Sequence, residues 1–249
     1  MEIAEDLGLQ PFEITAEQIP SIVLKLLGVE RPFSLPSIDD LDIPAKNIDQ
    51  VILVIIDNFS LYEVITYQPM FMIKNLEYLL LIDTETKSKS LSGPMLESMF
   101  FSKESLTFNL ISALNDNQKQ VKVHAREEDL PKITNDSNLA VTETSDVNIY
   151  VKGLKAVNRN DLLVLHFSDF DEMYARYSMN PPEEIASKII RRTDKWLSLF
   201  WQQAIEGTAL IVIGNDGKTP IEMNLEGRAA EWKRANLPIG FIKFPEKDQ

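Results

Sequence analysis

The chain has 249 residues, with 25 Lys plus Arg against 38 Asp plus Glu, a formal charge of −13 and a sequence pI near 4.7. Hydrophobic residues at 44% and charged residues at 25% are ordinary globular usage, which excludes disorder of the chain as a whole. The acidic balance argues against a general nucleic-acid binder, and zero cysteines exclude disulfides, Cys-ligated zinc, iron–sulfur clusters and a Cys nucleophile. Only two histidines occur, His124 and His166, so a His-built metal site would need both of them plus carboxylates. The start carries Glu2, Glu5 and Asp6, unlike a signal peptide. The longest apolar run, residues 51–56, falls far short of the roughly 20 residues a membrane helix needs. A soluble, cytoplasmic protein is the expectation.

In chain order, the first predicted element is a helix over residues 16–27, with Ile19, Ile22, Val23, Leu26 and Leu27 at helical spacing. Pro20 suits its first turn and Gly28 its end. Residues 29–46 carry Pro32, Pro36 and Pro44 among Asp39, Asp40 and Asp42, the composition of an extended arm. Residues 51–56 (VILVII) form a strand that stops at Asp57, and shorter strands are expected at 79–82, 120–124 and 239–244. Residues 105–114 predict a helix opened by a capping serine, and 127–145 a polar surface loop. A strand at 161–167 ends at Ser168 and Asp169, a long helix follows over 181–205, and a strand at 208–213 ends at Gly214, Asn215 and Asp216. A short charged helix over 226–234 comes last. Continuous Val/Ile/Leu runs suit strands buried on both faces. Alternation with helices therefore predicts an α/β fold with a mainly parallel sheet and helices on both faces. The expected organisation is an N-terminal helix and proline-rich arm (1–46) packing on a single α/β domain (47–249).

In open α/β sheets, ligands bind beyond the carboxyl ends of the strands. Asp57, Asp169 with Asp171, and Asp216 all fall at or just past such ends. Carboxylates gathered at one edge repel unless protons or a cation compensate them, so a hard metal ion is a natural inference. The same aspartates also suit plain turn and N-cap duty.

The order of these pieces resembles the alkaline phosphatase superfamily, over residues 50–218. VILVIIDNF is similar to the family's opening strand, with Asp57 in the metal-ligand place. SLSGPMLESMF offers Ser92 in the nucleophile's place at a helix start, and LLVLHFSDFDEMYARY is similar to the strand and "D-x-x-G-H" turn, with Asp171 as metal ligand. PPEEIASKIIRRTDKWLSLF resembles the long helix with an internal aspartate, here Asp194, and TALIVIGNDGK the "S-D-H-G" turn, with Asp216 as a further ligand. The family's histidines, however, fall on Ala175 and Gly217, and none follows His166. Members use two metal ions to activate the nucleophile and stabilise the transferred group. A set of Asp57, Ser92, Asp171 and Asp216 would hold zinc poorly, whereas Mg²⁺ or Mn²⁺ could use the carboxylates and water.

Ser92 is thus a candidate nucleophile or a helix cap, and Asp169 a lesser candidate ligand. His166 is expected as a satisfied buried histidine or a replacement ligand, and His124 as structural. Arg176 and Lys218 are candidate contacts for an anionic group, or ordinary solvated cations. The leading expectation is an alkaline-phosphatase-like domain that has lost two-metal hydrolysis and binds a phosphorylated small molecule or a protein partner. The alternative is a Mg²⁺- or Mn²⁺-dependent phosphoester or sulfoester hydrolase or phosphotransferase with Ser92 as nucleophile. A third reading is an unrelated doubly wound fold.

Overall fold

The computed structural model describes residues 10–41, 43, 48–75, 78–83, 92–102, 108–136, 138–177, 180–215 and 239–245. Their strands are β1 (Gln10–Thr15), β2 (Gln50–Asp57), β3 (Tyr78–Asp83), β4 (Val121–Ala125), β5 (Ala140–Thr142), β6 (Leu162–Phe167), β7 (Thr208–Asn215) and β8 (Ile239–Lys243). They form one eight-stranded sheet in the order β1-β3-β8-β7-β2-β6-β4-β5. Every pairing is parallel except those of β8, which runs antiparallel to β3 and β7.

The helices are α1 (Ile19–Leu26), α2 (Leu61–Tyr67), α3 (Met70–Asn75), α4 (Ser92–Ser98), α5 (Leu110–Asp116), α6 (Leu130–Ile133), α7 (Asp146–Ala156), α8 (Asp169–Arg176) and α9 (Glu183–Gln203). Successive strand residues point to opposite faces, and the central strands are apolar at every step. Val51, Leu53 and Ile55 of β2 join one core with α1, α4 and α5, while Ile52, Val54 and Ile56 join a second with α2, α7, α8 and α9. The sheet is therefore covered on both faces, as the unbroken VILVII run predicts, and the expected mainly parallel α/β architecture is borne out.

The local chemistry explains the boundaries. α1 has Pro20 in its first turn and ends at Gly28, whose φ of +67° is the left-handed geometry glycine adopts without penalty. There Val29 N–H donates to Leu24 O at 2.9 Å and Gly28 N–H to Lys25 O at 3.2 Å, a paired closure of the last carbonyls. The helix expected over 105–114 instead begins at Leu110. Asn109 stays extended, bridges Phe101 and caps Ser112 N–H at 3.1 Å with its side chain; Ser105 lies outside the described residues. The polar 127–145 stretch holds the one-turn α6 and edge strand β5 rather than loop alone. β1 is an edge strand with Pro11 near its start, a place where a missing N–H is tolerated, and this proline disguised it in the sequence. The helix expected over 226–234 lies outside the described residues.

Close approach is required at Gly214 on β7, where a Cβ would stand 1.8 Å from the Phe59 carbonyl oxygen, a backbone atom that cannot swing aside. Gly214→Ala should therefore cost about 3 kcal/mol or more. Denaturant unfolding checks this, and a loss below about 0.5 kcal/mol would refute the contact.

Candidate functional site

β6, β2 and β7 lie side by side, with Ile56 opposite Phe167 and Asp57 opposite Asn215, so their carboxyl ends share one edge. Past Asp57 the chain turns at Asn58, whose φ of +52° is a left-handed conformation asparagine tolerates. The turn is pinned by Asn58 N–H donating to Asn215 O at 2.9 Å. Below it, Ser60 caps α2, and the buried Glu63 carboxylate accepts from Ser60 Oγ at 2.5 Å and Tyr174 Oη at 2.5 Å, tying α2 to α8. Burial pushes the Glu63 carboxyl up, against the lowering effect of these hydrogen bonds.

Three polar side chains close on the two front carboxylates, Asp57 and Asp171. Asp57 Oδ1 accepts from Asn215 Nδ2 at 2.6 Å and lies 2.9 Å from His166 Nε2. Asp171 Oδ1 accepts from Asn58 Nδ2 at 2.5 Å. The other His166 nitrogen, Nδ1, lies 3.4 Å from Asp129 Oδ2, and Lys132 Nζ donates to Asp129 Oδ1 at 2.7 Å. Asp57, Asp129 and His166 thus place three potential donor atoms within 4.8 Å of one another, all from buried residues. His166 is wholly buried; burial alone would strip its proton, but Asp57, Asp129 and Asp146 outweigh that and raise its pKa. Burial raises the Asp171 carboxyl, with Asp57 and Asp129 adding repulsion.

In front of this cluster lies an open polar cleft of about 200 Å³, lined by Asp57, Leu96, Glu128, Asp129, Lys132, Ser168, Asp171, Glu172 and Asn215. The lining residue Ser168 is held by Asp146, the first residue of α7, whose carboxylate accepts from the backbone N–H groups of Ser168 (3.0 Å) and Asp169 (2.9 Å) at the start of α8. Burial, and then Asp169, push Asp146 up to about 6. Arg126 pairs with Asp146, with Asp169 at 3.0 Å and with Glu172, and Arg192 pairs with Asp169 at 2.5 Å while lying 4.4 Å over the Trp196 ring. The network is continuous from the cleft rim into the packing of α9.

Of the residues proposed from sequence, Asp57 and Asp171 both line the cleft. Asp169 faces Arg126 and Arg192 instead. Ser92 is the first residue of α4, the helix that contributes Leu96 to the cleft wall; its side chain lies outside what is described. Asp216 and Lys218 lie outside the described residues. Arg176 is exposed at the end of α8 and does not line the cleft. His166 enters the cluster, whereas His124 pairs with Glu143 at 3.1 Å beside β5. Asp194 accepts from Phe71 N–H (2.9 Å) and Met72 N–H (3.0 Å), capping α3 from the middle of α9. Sequence reasoning missed Asp129, Lys132, Asn58 and Asn215. Asp129 had a usable signal, an acid just past strand β4 and ahead of a Leu-Pro helix start. Asn58 and Asn215 had none beyond adjoining a strand end.

No protein-family profile and no curated protein matches the sequence. Solved structures do. The C-terminal periplasmic domain of EptC from Escherichia coli, in complex with zinc, is similar at 10% identity over 81% of this chain and 74% of that one, with a TM-score of 0.52. The lipoteichoic acid synthase LtaP from Listeria monocytogenes is similar at 11% identity over 92% and 72%, TM-score 0.49. A protein in the alkaline phosphatase superfamily from Vibrio parahaemolyticus follows at 12% identity and TM-score 0.44, where the match covers 81% of this chain but 62% of that one. The likeness is one of fold: the chain has an alkaline-phosphatase-like α/β fold. Among the described residues no helix is long and apolar enough to cross a membrane.

The buried imidazole gives a pH signature. With its folded pKa above the usual 6.5, its stabilising contribution is fully present below about pH 6.5 and is lost as pH rises through the folded value. Between pH 6.5 and 8.5 the denaturation midpoint of the wild type should fall more than that of His166→Gln, whose amide can still donate to Asp57. Parallel profiles would refute the assignment.

Proposed function

We propose that this alkaline-phosphatase-like chain acts by binding at the carboxyl-edge cleft and does not run two-metal hydrolysis. The observation that carries the reading is that one oxygen of each front carboxylate is engaged by protein N–H donors. Asp57 Oδ1 is engaged by Asn215 and His166, and Asp171 Oδ1 by Asn58. A metal ion needs those lone pairs for itself. A cation bound at either Oδ1 would have to displace these amide and imidazole donors, which works against a two-metal centre.

The chemistry of the cleft favours a protein partner over a phosphorylated small molecule. Among the described lining residues, Asp57, Glu128, Asp129, Asp171 and Glu172 face it against one cation, Lys132. Phosphate would meet repulsion there, whereas a basic side chain of a partner would meet complementary charge. The acidic balance of the whole chain adds long-range attraction for such a partner. A second reading, hydrolysis with Ser92 as nucleophile and Mg²⁺ or Mn²⁺ held by Asp57 and Asp171, draws on one observation: the helix that opens at Ser92 contributes Leu96 to the cleft wall.

Calorimetric titration of the metal-stripped protein with Mn²⁺, Mg²⁺ and Zn²⁺, the last because the similar EptC domain holds zinc, separates the readings. Heat indistinguishable from buffer up to about 1 mM metal is expected. Micromolar binding abolished by Asp57→Asn, together with phosphate-ester turnover lost in Ser92→Ala, would overturn the binding reading. For the partner class, a tetra-arginine peptide should bind at low salt and lose about tenfold affinity in Asp129→Asn, about 1.4 kcal/mol. Glu184→Gln, at the start of α9, should leave it unchanged. Equal losses in the two variants would mean diffuse charge attraction and no cleft site.

A further inference from the structure

Outside the cleft, the proline-rich arm after α1 holds one large apolar side chain fully in solvent. Phe33 is 103% exposed, while the next most exposed large apolar side chain among the described residues, Met70, stands at 54%. The backbone that bears it is pinned. Leu35 and Ile38 are buried on its carboxyl side, and Arg31 donates to Leu35 O from the amino side. Ser21 Oγ donates to Pro36 O at 2.8 Å, Gln18 Nε2 to Ser37 O at 2.7 Å, and Ser102 Oγ to Ser34 O at 3.1 Å. The ring is thus held out on a fixed loop, so docking it would forfeit little conformational entropy. Rigid aromatic anchors of this kind dominate interface energetics.

A groove of about 420 Å³ lies beside it, with Val29 and Ile38 in its lining and Lys25, Arg31, Glu30 and Asp39 around it. Its volume exceeds a phenylalanine ring several-fold. Arg31 and Phe33 are two residues apart, so their Cα atoms stand at most about 7 Å from each other. Knob and groove are thus neighbours along the arm, and a two-fold axis needs such nearness for each copy to fill the other. The charges agree. Lys25 and Arg31 balance Glu30 and Asp39 on a chain whose overall charge is −13. Two copies would repel over most of their surfaces, but here each cation can meet the other copy's anion.

We propose that this chain forms a two-fold homodimer through this patch, with Phe33 of each copy seated in the groove between α1 and the arm of the other. The proposal is independent of the reading of the cleft. Sedimentation equilibrium on the full chain at about 0.1 mM protein and about 0.15 M salt tests it. The wild type should show twice the 28.4 kDa of one chain. Phe33→Ser should sediment as a single chain, and Phe33→Trp should remain dimeric. Lys25→Glu should weaken association about tenfold. Because Phe33 lies wholly outside the core, Phe33→Ser should keep the wild-type circular dichroism, so a monomer is not mistaken for an unfolded chain. A wild type that stays at one chain mass overturns the proposal and leaves Phe33 for a different protein. A dimer undiminished by Phe33→Ser overturns it equally.

Discussion

The arrangement at the carboxyl edge depends on how the buried charge of Asp57 is compensated. The residue ends a central strand of the sheet, flanked by β6 and β7 and covered by helices on both faces. A carboxylate there would cost several kcal/mol if left unpaired. His166 from one neighbouring strand and Asn215 from the other reach the same oxygen at 2.9 and 2.6 Å. The charge is settled by side chains that the parallel register itself aligns, so the strand pairing and the chemistry of the edge are one constraint. The second imidazole nitrogen then draws in Asp129, and with it the one-turn α6 and Lys132.

Two further carboxylates do structural work from a distance. Asp146 holds the first backbone N–H groups of α8, and Asp194 holds those of α3. Each supplies negative charge at a helix start, where the peptide dipoles favour it. Each also reaches across from another helix, fixing the orientation of one element against the next. Arg126 and Arg192 complete the first of these junctions. The acids around the cleft therefore divide into two groups: those satisfied inside the fold, Asp146 and Asp169, and those at the cleft rim, Glu128 and the Arg126-paired Glu172.

The central architecture was legible because burial on both faces leaves an unmistakable trace. VILVII, LLVLHF and TALIVI admit little else than interior strands of a covered sheet. The edges were less legible. β1 has only Phe12 and Ile14 to show, and β5 is three residues long, so neither carries an apolar run. The antiparallel course of β8 leaves no mark in composition, since strand direction is set by connection and not by side chains. At the cleft, Asp57 and Asp171 could be found because a strand followed by an acid is a pattern. Asn58, Asn215 and His166 act through three-dimensional reach across more than a hundred residues, which no local spacing encodes.

That reach has a consequence for how the chain comes into being. β2 is made early, yet one of its two edges is closed only by β7, across a separation of 158 residues between paired positions such as Gln50 and Thr208. Until β7 leaves the ribosome, six successive aliphatic residues stand as an open, uncharged ribbon, the kind of segment that stacks with its own copies. Slow, long-range closure of this type favours delayed collapse and recruitment of holding factors during synthesis. The same strand that makes the finished molecule rigid makes its incomplete forms the most vulnerable.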